Sequence, residues 1–92
     1  MTLRGIERIK EIRDQIDSYD NLLVILLKLR FECSDEIQKI KTELGHSPID
    51  PKRFNSILDR LKEKAKENKL NPKIIEEVMQ CIHTYSSKGR TP

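Results

Sequence analysis

A chain of 92 residues with a net charge of +3 and a pI near 9.0 has room for one small domain, 1–92, and no Gly- or Ser-rich linker divides it. Apolar and charged residues each make up 36%, and three glycines, four prolines and no tryptophan leave little material for hairpins or a β-sandwich. The basic excess is mild and evenly interleaved with Asp and Glu, and no aromatic residues alternate with the basic ones, so nucleic acid is not an expected partner.

The amino-terminal stretch MTLRGIERIKEIRDQ is charged throughout and has no signal-peptide core, which predicts a cytoplasmic protein. From there an apolar seam runs Ile9, Ile12, Ile16, Tyr19, Leu23, Leu26, then Cys33, Ile37, Ile40 and Leu44. This 3-4-3-4 spacing with no internal proline predicts one helix over roughly residues 3–43. Its most apolar run, LLVILLKL, is far too short to span a bilayer and is interrupted by Lys28. Gly45 is placed to cap the helix, and GHSPID is the loop that follows. Asp50-Pro51 reads as N-cap and first position of a second helix with a buried face of Phe54, Ile57, Leu58, Leu61 and Ala65. Asn71-Pro72 repeats that signal for a third helix, with the stripe Ile75, Val78, Met79, Ile82, fading at Ser86-Ser87-Lys88-Gly89.

The expected architecture is therefore all-α, with one long and two shorter helices. A helix of 40 residues is about 60 Å long, whereas a compact chain of this size has a radius of gyration of about 12 Å. Two short helices cannot cover such a seam, so an intertwined homodimer with a two-fold axis is expected. The competing arrangement is a first helix broken near Asp20-Asn21 and folded into a monomeric bundle.

One seam position is charged: Arg30. On a helical wheel Arg30 and Lys41 project within about 20° of each other, about 16 Å apart along the axis. Ser34, Ile37 and Gln38 lie between them, none of them large. Two long cations leaning toward a shallow gap form a receptacle for a small dianion; the Arg fork suits a carboxylate, and Lys supplies a mobile point charge. Arg13 is rotated by about 100° from Arg30 and would reach such a gap only in a partner chain. Arg53, in the first turn of the second helix, is the fourth candidate. His46 and His83 have no Cys or carboxylate at ligand spacing, so no metal is assigned. Cys33 and Cys81 form neither a metal spacing nor a disulfide framework and read as buried thiols. No GxGxxG, P-loop, GxSxG or HExxH pattern occurs.

The run IRDQIDSYDNLLVILLKLR, the Lys41-to-Gly45 spacing, PIDPKR and NKLNP together resemble the all-helical chorismate mutase family over nearly the whole chain. The resemblance implies an isomerase that converts chorismate to prephenate without a cofactor, within the shikimate route to aromatic amino acids. It implies that Arg13 crosses the dimer to a substrate carboxylate, Arg30 binds a carboxylate in its own chain, and Lys41 meets the ether oxygen. Asp50 would approach the ring C4 substituent, Arg53 would complete the cationic lining, and Ser86 would help hold a carboxylate. Two positions depart from the family pattern: Phe54 stands in place of a usual glutamate, and Arg90 in place of a usual Gln or Glu. The Arg-then-apolar pattern of KRF is also seen in relatives acting on neighbouring substrates, isochorismate–pyruvate lyases and 4-amino-4-deoxychorismate mutases. A weakly active copy that needs a partner enzyme and a basic coiled-coil interaction module are the remaining alternatives.

Overall fold

The computed structural model describes residues 3–47 and 50–86 and consists there of three helices: α1 (Leu3–Leu44), α2 (Pro51–Glu67) and α3 (Pro72–Tyr85). The chain divides into two units, Met1–Cys33 and Ser34–Pro92, with the boundary inside α1.

Helix α1 runs 42 residues without interruption, so the break considered at Asp20-Asn21 does not occur. It ends where the backbone turns left-handed at Gly45, φ +69°. There His46 N–H donates to the Lys41 carbonyl at 2.8 Å and Gly45 N–H to the Thr42 carbonyl at 3.2 Å. These two bonds satisfy carbonyls that the last turn would otherwise leave unpaired.

Helix α2 starts as its sequence predicts. The Asp50 carboxylate accepts from Arg53 N–H at 3.1 Å, and Pro51 occupies the first helical position. Its end repeats the capping geometry of α1, with Leu70 N–H donating to the Ala65 carbonyl at 2.8 Å. Here, however, the left-handed residue is Lys69, φ 57°, which has a Cβ to accommodate. At the start of α3 the Asn71 side chain accepts from Lys73 N–H at 3.0 Å, again with proline just inside the helix.

Helices α2 and α3 pack against each other as an antiparallel hairpin. Two contacts fix its register: Lys62 Nζ lies 3.4 Å from Glu76 Oε1, and the Phe54 and His83 rings meet at 4.1 Å. Ala65 and Met79 are the buried residues of this contact; Phe54, Ile57, Leu58, Leu61, Ile75 and Ile82 are half-buried around them. Val78, expected on the buried stripe, is exposed. A helix that meets one neighbour buries a single stripe. Val78 is rotated by about 100° from Met79 and falls outside it, in line with Ile74, Cys81 and Tyr85.

Helix α1 contains no buried residue. Its seam is open along its length, Leu23 being 58% and Leu26 59% exposed. Both cysteines are exposed, contrary to the buried thiols expected from the sequence. Cys33 lies on that open seam, and Cys81 lies on the outer stripe of α3. No helix among the described residues is long and apolar enough to cross a membrane.

Candidate functional site

A cation leaving water needs a counter-charge, so burial sorts the basic residues better than position does. Among the described lysines and arginines, only Arg30, Lys41 and Lys62 are half-buried. Lys62 has its partner in Glu76. Arg30 and Lys41 take part in no salt bridge among the described residues. They are thus partly desolvated positive charges that no other described residue neutralises.

In the first unit, Arg30 is the half-buried position of an otherwise exposed seam. Arg13 is exposed, and with Ile6, Ile9 and Lys10 it lines an open dip on the surface of α1. One face of one helix cannot enclose a small molecule, so this dip is not a pocket in the single chain.

In the second unit, Ser34, Gln38 and Lys41 are half-buried at i, i+4 and i+7 on one helical face, while Ile37 beside them is exposed. Lys41 is anchored at its own backbone, because its carbonyl accepts the capping bond from His46. The hairpin then gathers the remaining candidates at one end, where α2 begins and α3 stops. Asp50 and Arg53 are exposed there, joined through the N-cap bond. That bond occupies one of several acceptor sites on the carboxylate. Phe54 follows with its ring against His83, tilted by 31°. Ser86 caps the end of α3; its hydroxyl donates to the Ile82 carbonyl at 2.9 Å and its N–H to the His83 carbonyl at 3.2 Å. In this arrangement the Ser86 oxygen can accept but has no proton to give, so holding a carboxylate requires the hydroxyl to rotate. Arg90 lies outside the described residues.

His83 had no assignment from the sequence, which registers only a histidine without a ligand set. Its contact with Phe54 spans 29 positions along the chain and depends on the hairpin register. The clue available in the sequence is its place three residues before Ser86, on the same face of α3.

In the second unit, Lys41, half-buried and without an ion-pair partner among the described residues, and Arg53 in the first turn of α2 are cations suited to a small polyanion. The family model described as chorismate mutase type II matches residues 12–89. The chain belongs to that family. It is 32% identical over 77 residues to the chorismate mutase of Methanocaldococcus jannaschii, which covers 84% of this chain and 78% of that protein. It is 31% identical over 86 residues to the T-protein of Enterobacter agglomerans, covering 91% of this chain and 23% of that longer protein. No solved structure matches it. Relative to the family pattern described above, Phe54 is the departure that the structure describes.

Proposed function

We propose that the chain rearranges chorismate to prephenate by clamping the substrate between cations contributed by two copies of itself. The observation that carries this reading is that Arg30 and Lys41 are half-buried and take part in no ion pair among the described residues, in a member of the chorismate mutase type II family. The [3,3]-rearrangement needs no nucleophile, no cofactor and no net proton transfer, so restraint and charge are what the protein contributes. Arg30 takes one carboxylate with its planar fork, and Arg13 of the second copy takes the other. Held at both ends, the enolpyruvyl arm lies over the ring as the reactive conformer, which removes an entropic cost from the barrier. As the ether C–O bond breaks, negative charge grows on oxygen, and the Lys41 ammonium stabilises it more in the transition state than in the ground state. Arg53 and Ser86 complete the polar lining, and Asp50 faces the ring end beside Phe54.

The second copy is supported by the open seam of α1. Leu23, Leu26 and their seam neighbours are apolar side chains that water covers in the single chain. Burying each such side chain is worth about 1.5–3 kcal/mol. A two-fold pairing of α1 covers the stripe and brings Arg13 of one copy toward Arg30 of the other. The working protein on this reading is a cytoplasmic homodimer of one domain per chain. The direct test is incubation of the purified protein with chorismate, isochorismate and 4-amino-4-deoxychorismate, followed by identification of products by mass. Prephenate from chorismate is the expected product; conversion of isochorismate alone would overturn the assignment.

A further inference from the structure

We infer that His83 is a specificity-determining residue that accepts a hydrogen bond from the ring hydroxyl of the substrate, an inference that rests on the function proposed above. A carboxylate at position 54 would offer an acceptor at the start of α2, but a phenylalanine ring offers none. The structure compensates from across the hairpin. The His83 ring stands 4.1 Å from the Phe54 ring, centroid to centroid and tilted by 31°. This separation is shorter than the about 4.5–7 Å usual for packed aromatic rings. The contact fixes the plane of the imidazole and leaves its two nitrogens at the ring edge. The residue is exposed in the single chain, so a ligand can approach it.

The neighbours of His83 are the residues already placed at this end of the hairpin. Its carbonyl accepts from Ser86 N–H at 3.2 Å, and Phe54 N–H donates to the Asp50 carbonyl at 3.2 Å. Asp50 itself commits Oδ1 to capping α2 through Arg53 N–H. An imidazole at this end of the hairpin adds a ring-nitrogen acceptor carried on a helix. The nitrogen without a proton accepts the hydroxyl hydrogen, and Phe54 supplies the flat surface that holds the imidazole in place. Phe54 and His83 thus act as a pair, one as support and one as reader.

The test compares wild type, His83→Leu and His83→Gln on chorismate and on an analogue lacking the ring hydroxyl, with a thermal melt of each variant as the control for folding. His83→Leu is expected to lower kcat/KM for chorismate about tenfold, equal to about 1.4 kcal/mol, and to leave that for the deoxy analogue within about twofold. His83→Gln, which keeps an acceptor, is expected to recover most of the loss. Equal losses on both substrates, or no loss on chorismate, would overturn the assignment to the hydroxyl while leaving the proposed reaction intact. A wild-type protein that converts neither substrate would instead remove the functional reading on which this inference rests.

Discussion

Replacing Lys41 by alanine separates catalysis from folding with unusual clarity. The side chain is half-buried and has no carboxylate partner among the described residues, so its charge remains available to a bound ligand. A unit charge about 4 Å from a growing oxyanion, at an effective dielectric constant of about 20, is worth about 4 kcal/mol. Removing a single oxyanion donor from an active site costs about 3–4 kcal/mol. Both routes give the same size of effect, and Lys41→Ala is expected to lower kcat/KM at least about 100-fold. Lys41→Gln keeps a donor and is expected to lose less. The folded state should change little, because the charge of Lys41 in the last turn of α1 contributes about 0.3–1 kcal/mol through the helix dipole. Continuous assay of chorismate consumption, paired with a thermal melt, reads both quantities. A kcat/KM within about threefold of wild type would refute the role given to Lys41.

Two further outcomes follow from the pairing of copies and from the helix ends. If Arg13 serves the partner's site, mixing inactive Arg13→Ala and Arg30→Ala proteins should restore activity, because a mixed dimer carries one intact site. With random exchange about a quarter of wild-type activity returns, and no recovery after verified subunit exchange, read by mass, would place both arginines in the same chain's site. At the helix ends, Gly45→Ala should destabilise by about 1–2 kcal/mol, since a Cβ there meets nothing within 4 Å and the cost comes from φ +69° alone. Lys69→Gly, at the matching position after α2, should stabilise by up to about 1 kcal/mol. Equilibrium urea unfolding of both variants measures the pair, and shifts of the same sign would contradict the backbone argument.

Where the chain's own chemistry acts over a few residues, the sequence alone determined the outcome. Asp50-Pro51 and Asn71-Pro72 begin helices because an acceptor side chain and a ring lacking N–H satisfy the first turn wherever they occur. Gly45 ends α1 because the left-handed turn costs glycine nothing. The unbroken length of α1, and with it its apolar seam, was legible in the periodicity of isoleucines and leucines. The cationic candidates could also be named from spacing, since a regular helix converts sequence separation directly into angle and rise. Tertiary packing decided everything that depends on which residues meet across the hairpin. It paired Lys62 with Glu76, set His83 against Phe54 and turned Val78 and Cys81 outward. Sequence patterns specify which residues share a face of one helix, but contact register and desolvation are set only when two faces close on each other.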